Sequence, residues 1–99
     1  MPFFSVIIPT YNRADLLKKT IDSVLEQEFS DFELIVINDG STDHTKDVVD
    51  AFGDKRIRYF FQENGERGKA RNRGSKEARG KYVFFLDSDD LIYPNHLQV

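Results

Sequence analysis

Asp87-Ser88-Asp89-Asp90 packs three carboxylates into four residues, directly after the apolar run Tyr82-Val83-Phe84-Phe85-Leu86. Like charges at that density repel, so folding alone gives no reason to gather them. A divalent cation does, because hard cations take carboxylate oxygens and need few from the protein when a phosphate supplies the rest. The position matters as much. The apolar run, entered through Gly80-Lys81, reads as a buried strand of a parallel sheet. Open α/β sheets bind ligands beyond the carboxyl ends of their strands. The plainer alternative is a polar loop with Ser88 or Asp90 as a helix N-cap.

The elements that must position these carboxylates follow from the apolar periodicity. Phe3-Phe4-Ser5-Val6-Ile7-Ile8 reads as the first strand, stopped by Pro9. Asn12 then reads as a helix cap with Asp15 three residues on, and Leu17, Ile21, Val24 and Leu25 give that helix one apolar face. A second strand over 33–38 is closed by Asp39-Gly40. Ser41, Thr42 and Asp43 are N-cap candidates for a second helix that buries Val48, Val49 and Phe52 and stops near Gly53. A third strand covers 57–61. A third helix runs from about 66 to 78 and ends at Gly80; its inward face, Ala70, Gly74 and Ala78, is small enough to lie close on a sheet. The fourth strand is 82–86. Alternating strands and helices predict an α/β fold: a Rossmann-like parallel sheet of about four strands with flanking helices and right-handed crossovers. The length of 99 residues allows one domain, 1–99.

Polar residues converge on one rim of such a sheet. The first strand delivers Pro9-Thr10-Tyr11-Asn12-Arg13, the second Asn38-Asp39-Gly40-Ser41, the fourth Asp87 to Asp90, and the third loop adds Asn64-Gly65 and the basic segment from Arg67. A nucleotide pocket is assembled in this way: in-plane donors and acceptors for the base beside an aromatic wall, a carboxylate for the ribose, and cations for the phosphates. Plainer readings stand beside each piece. Tyr11 equally suits a half-buried rim position, and Asp39-Gly40-Ser41 suits a turn with a helix cap. Arg67, Lys69, Lys76 and Arg79 suit a solvated helix face. Arg71 stands apart because it follows Ala70 on the face near the sheet. His44 and His96 are solitary and read as surface residues. With no GxGxxG and no GxxxxGK[ST] in the chain, dinucleotide and P-loop readings lose support.

Charge narrows the ligand class. The net charge is −3, yet seven of the 14 basic residues fall between 67 and 81, where Glu77 alone offsets them. A local cationic stretch in an acidic protein points to one anionic ligand rather than a polyanion, which speaks against nucleic acid. The chain has no cysteine, which excludes disulfides, zinc–thiolate sites and a thiol nucleophile and agrees with a cytoplasmic location. No stretch approaches the ~18 apolar residues of a membrane span, and the N-terminus lacks a signal-peptide pattern. A hydrophobic fraction of 39% excludes a disordered chain.

Taken together, the motifs resemble the inverting family 2 glycosyltransferases, which have the GT-A fold. The matching pieces are Val6-Ile7-Ile8-Pro9-Thr10-Tyr11-Asn12-Arg13, Asn38-Asp39-Gly40-Ser41-Thr42-Asp43, Asn64-Gly65 with Gly68-Lys69-Ala70-Arg71-Asn72-Arg73-Gly74, and Asp87-Ser88-Asp89-Asp90. They fall in family order and spacing from about residue 3 to residue 94. The resemblance implies that this half of a GT-A domain binds the donor, a nucleotide-sugar and usually a UDP-sugar. Pro9, Thr10, Tyr11 and Asn12 would line the nucleoside site, with Asp39 on the uracil. Arg71 would lie beside the base or the phosphates, and Asp87 would approach the ribose. Asp89 would hold Mg²⁺ or Mn²⁺, with Asp87 the alternative ligand and Asp90 either a supporting group or a helix cap. The general base that such enzymes need is expected beyond Val99, since the family domain is about twice this length; no catalytic residue is assigned here. The implied parent enzyme transfers a sugar with inversion to an acceptor hydroxyl, on a glycan or lipid-linked acceptor, in polysaccharide or cell-envelope synthesis at the inner face of the membrane.

The rival is a non-catalytic nucleotide-binding or regulatory module of the same fold. Receiver domains end their third strand in the acceptor Asp, whereas this chain has Phe60-Phe61-Gln62 there; Asp-x-Asp phosphatases place that motif on the first strand, where this chain has Pro9-Thr10. One further expectation concerns assembly. The fourth strand, with Lys81 its only charge, would present an open apolar edge, and a homodimer through that edge is expected.

Overall fold

The computed structural model describes residues 3–27, 31–63 and 67–86, with the backbone alone at 67 and 68. Its elements follow in the order β1 (Phe4–Thr10), α1 (Ala14–Leu25), β2 (Phe32–Asp39), α2 (Thr45–Asp50), β3 (Ile57–Gln62), α3 (Arg67–Glu77) and β4 (Tyr82–Phe85). The strands form one parallel sheet in the order β3-β2-β1-β4. This is the expected α/β architecture.

Strand alternation sorts the apolar residues onto two faces. Val6, Ile8, Leu34 and Val36 pack with Leu17, Ile21 and Val24 of α1 and with Val49 of α2. Ile7, Ile35 and Ile37 pack on the other face against Ala70 of α3. Each of these fully buried Ile or Leu side chains contributes about 2 kcal/mol. The small face of α3 is what lets it lie so close: a Cβ at Gly74 would overlap the Ile7 side chain. A Cβ at Gly80 would stand 2.6 Å from the backbone of Phe4 and Ser5, so the turn into β4 also requires glycine.

Three local expectations change. Pro9 lies inside β1 rather than ending it. The Phe3 and Ile7 carbonyls accept the N–H groups of Tyr82, the first residue of β4, and of Leu86 just after it, so alternation turns the Pro9 nitrogen the same way. The last β4 pair is Ile7 with Phe85, so Pro9 lies beyond the ladder and no bond is lost. Asn12 is not the cap of α1. The N-cap residue is Arg13, without a side-chain bond, and Asn12 sits at φ 50° in the left-handed region. Finally, β4 is not a buried strand. It lies at the sheet edge, as expected, but Tyr82, Val83 and Phe85 are 52%, 43% and 40% exposed, because α3 packs over β1 and β2.

The amino end of the sheet is held by a buried polar cluster that periodicity did not reveal. Glu33 accepts from Ser5 Oγ at 2.5 Å, from Arg58 Nη1 at 2.9 Å and from the Arg79 N–H at 2.6 Å. Arg58 also donates to the Glu77 carbonyl at 2.7 Å, satisfying a carbonyl at the C-terminal end of α3. Gly80 N–H donates to Ser5 Oγ at 2.7 Å. Burial alone would raise the Glu33 carboxyl, but these donors outweigh it and hold the group below its ordinary value. The cluster fixes where α3 ends and β4 begins, and so fixes α3 over the carboxyl rim.

Candidate functional site

At the carboxyl ends of the strands the same alternation assigns each candidate to a face. Asp39 follows Ile35 and Ile37, which pack under α3, and it is 7% exposed. It is the register partner of Gln62 at the end of β3, and Gln62 Nε2 donates to Asp39 Oδ1 at 3.0 Å. Arg71 is half-buried on α3 next to Ala70, and its guanidinium carbon stands 5.5 Å from the Phe85 ring centroid. Such a cation over an aromatic face is worth about 1 kcal/mol and keeps the guanidinium beside the rim. Pro9 shares this face with Ile7 and is partly exposed. Thr10 turns the other way, with Ile8: it is buried, and among the described residues its Oγ1 has no hydrogen-bond partner. Tyr11 stands at the rim at 48% exposure, an aromatic surface open for stacking.

Two loops at this rim are fastened to each other. Asn12 N–H donates to Ser41 Oγ at 2.8 Å, and Asn12 Oδ1 accepts the Thr42 N–H at 2.7 Å. The left-handed backbone of Asn12 turns both groups toward the second loop; asparagine tolerates that conformation better than most residues. Asn38 Oδ1 accepts the Ser41 N–H at 2.9 Å, and Asn38 Nδ2 donates to Tyr59 OH at 2.8 Å. Asp43 completes the joint. Its Oδ2 accepts the Ala14 N–H at 3.1 Å and its Oδ1 accepts the Thr45 N–H at 3.2 Å and the Thr45 hydroxyl, so one carboxylate caps the first turns of α1 and α2. Burial works to raise the Asp43 carboxyl, but these donors and the nearby His44 bring it below its ordinary value. An open groove of about 630 Å³ starts at Tyr11 and Asn12 and runs between Arg13, Asp15, Asp43 and His44. His44, 3.6 Å from Asp15, is exposed, as expected.

The structure thus brings Pro9, Asp39 and Arg71 to one face of the rim, with Tyr11 and Asn12 beside it, and separates the Thr10 side chain from them. Asp87 and Asp89 lie outside the described residues, as do Asn64, Gly65 and Asp90. The Leu86 N–H donates to the Ile7 carbonyl at 2.9 Å, which sets Leu86, the last described residue, at the carboxyl end of the ladder. The donor chemistry of Asp87 and Asp89, oxygen only, fits Mg²⁺ or Mn²⁺. Among the described residues no cluster of three acidic, histidine or cysteine groups forms, and no helix is long and apolar enough to cross a membrane. Gln62 and the double role of Asp43 were missed by sequence reasoning. Gln62 was detectable only as the residue whose strand register sets it beside Asp39.

Known proteins share this fold and much of this sequence. The crystal structure of S. aureus TarS 1-349 in complex with UDP-GlcNAc matches with a TM-score of 0.88 at 38% identity, over 93% of this chain and 28% of that one. A mannosyltransferase from Pyrobaculum calidifontis in complex with GDP-Man and Mn²⁺ matches with a TM-score of 0.77 at 32% identity, over 91% and 28%. In sequence, the GalNAc(5)-diNAcBac-PP-undecaprenol beta-1,3-glucosyltransferase of Campylobacter jejuni is 47% identical over 96 residues, covering 93% of this chain and 31% of that protein. The chain spans less than a third of the length of each. The family profile described as Glycosyl transferase family 2 matches residues 5–99. That match covers nearly the whole chain, and the chain belongs to glycosyl transferase family 2.

Proposed function

We propose that this chain is the donor-binding part of a glycosyltransferase and holds a UDP-sugar at the carboxyl rim. The observation that carries the reading is the buried Asp39 carboxylate at the end of β2, on the same face as Arg71 and bordered by exposed Tyr11. Asp39 accepts the ring N–H of uracil, a role open to an ionised carboxylate because it has acceptors only. Tyr11 stacks on the base, with Pro9 at its edge, and Asn12 holds the loop that carries them. Arg71 lies beside the base or the phosphates, where its charge favours the anionic ligand. Asp87 hydrogen-bonds the ribose, and Asp89, with Asp87 the alternative, holds Mg²⁺ or Mn²⁺. The cation, when bound, supplies Lewis-acid stabilisation of charge on the departing nucleoside diphosphate.

Transfer in the whole protein replaces the bond from the anomeric carbon to the diphosphate with one to an acceptor hydroxyl, attacking from the opposite side and inverting the centre. A general base takes the hydroxyl proton, and no residue of this chain is assigned to it. Support for a nucleotide-sugar donor comes from the UDP-GlcNAc and GDP-Man complexes. The Campylobacter jejuni relative's name, which gives an undecaprenol-diphosphate-linked glycan as acceptor, supports a lipid-linked glycan acceptor; work in cell-envelope glycan synthesis at the inner membrane face belongs to the same proposal.

Titration calorimetry with UDP tests the reading. Binding is expected with Mn²⁺ and is expected to weaken at least tenfold when EDTA removes the metal, and Asp89→Ala should abolish that dependence. Equal binding with and without metal would overturn the metal assignment, and no UDP binding at millimolar concentration would overturn the donor site.

A further inference from the structure

Gln62 has no contact with the ligand in the reading above, yet its bond to Asp39 gives it a task in the site. The torsion that orients an aspartate carboxylate is broad and close to two-fold, so a buried Asp needs a partner to hold one orientation. Gln62 supplies it: Nε2 donates to Asp39 Oδ1 at 3.0 Å across the register pair that ends β2 and β3. The backbone of Gln62 is itself held, since β3 is paired with β2 along its length through Asp39. Its side chain borders the α3 residues Lys69, Asn72 and Arg73. The chemistry of the partner matters. A lysine or arginine here would cancel the charge of Asp39, whereas a neutral amide orients the carboxylate and leaves it anionic. An anionic, fixed acceptor favours a base that presents a ring N–H, as uracil does, over cytosine, whose ring nitrogen is an acceptor and is repelled.

We infer that Gln62 is a positioning residue for base recognition, acting through Asp39 to favour a uracil-type edge over a cytosine-type edge. The inference rests on the donor-site reading above. It predicts that Gln62 affects only the part of the affinity that comes from the base.

The test is calorimetry with Mn²⁺ and three probes, UDP, CDP and inorganic pyrophosphate, on Gln62→Ala, Asp39→Ala and the double variant, each first matched to the parent protein in thermal melting. Gln62→Ala is expected to weaken UDP about five- to tenfold, the size of one ordinary hydrogen bond, because its effect on the base is indirect. It should lower the preference for UDP over CDP and leave pyrophosphate unchanged. In the Asp39→Ala background the same change should cost nothing further. Gln62→Glu sets two carboxylates side by side, so UDP binding should become pH-dependent and recover as the pH falls toward 5 and one proton is shared. Equal weakening of UDP and pyrophosphate, or the same penalty with and without Asp39, would overturn the inference. If Asp39→Ala weakens UDP but Gln62→Ala does not, the inference fails and the donor site stands; if Asp39→Ala has no effect on UDP, the base reading fails and takes the inference with it.

Discussion

Asp43 caps a helix that begins 29 residues before it: its Oδ2 accepts the N–H of Ala14, the first residue of α1, at 3.1 Å. Through Oδ1 it also receives Thr45 at the start of α2. The two loops that frame the candidate base site therefore share one carboxylate, and the Asn12, Ser41 and Thr42 bonds lie directly beside it.

Replacing Asp43 with Ala removes two helix caps together and is expected to cost about 1–3 kcal/mol of stability, against about 1 for one ordinary cap. Denaturant unfolding measures it. Asn at the same position keeps an acceptor for one helix and should recover part of the loss. A change under 0.5 kcal/mol in Asp43→Ala would mean that the loops hold without it.

Glu33 sets an acid limit on the fold. Its folded carboxyl lies below the ordinary 4.5 because the Ser5, Arg79 and Arg58 donors outweigh burial. A lowered folded value means that ionised Glu33 adds stability above the unfolded value, and that this is lost as the pH drops through the folded one. Unfolding free energy should therefore fall as the pH drops below the ordinary 4.5 and through the lower folded value, and this component should vanish in Glu33→Gln. Glu33→Ala leaves the partly buried Arg58 without that carboxylate and should cost about 3 kcal/mol at pH 7. An identical acid slope in Glu33→Gln would contradict the assignment.

The exposed edge at β4 should drive association. Tyr82, Val83 and Phe85 are open, and the edge offers no proline within the strand. Sedimentation velocity is expected to show a mass that rises with concentration toward a dimer, and Val83→Lys is expected to reduce it. A monomer at hundreds of micromolar in the unmodified protein would contradict this.

Much of the scaffold was legible because it is local. The order of strands and helices follows from apolar runs and breakers, and the small face of α3 follows from Ala70, Gly74 and Ala78, of which Ala70 and Gly74 are buried and Ala78 packs beside them. What stayed hidden depends on register between distant segments. Pro9 reads as a strand end until the ladder shows that its missing N–H falls past β4. Asn12 reads as a cap because the true oxygen, from Asp43, lies in another loop. Ser5, Glu33 and Arg58 look like unrelated polar positions until parallel pairing stacks them on one face. Asp39 and Arg71 were legible through the family resemblance, whereas Gln62, which belongs to no quoted motif, was not.

The central claim is that the ligand sits at the carboxyl rim on the α3 face, and amide chemical-shift mapping by NMR tests it most directly. Adding UDP with Mg²⁺ should shift the amides of Tyr11, Asn12, Asp39, Gly40, Gln62 and Arg71, and leave those of Glu33, Arg58, Arg79 and Gly80 at the opposite end unmoved. Shifts confined to the amino end of the sheet, or to the Lys69, Arg73 and Lys76 flank of α3 with Asp39 and Tyr11 silent, would contradict it.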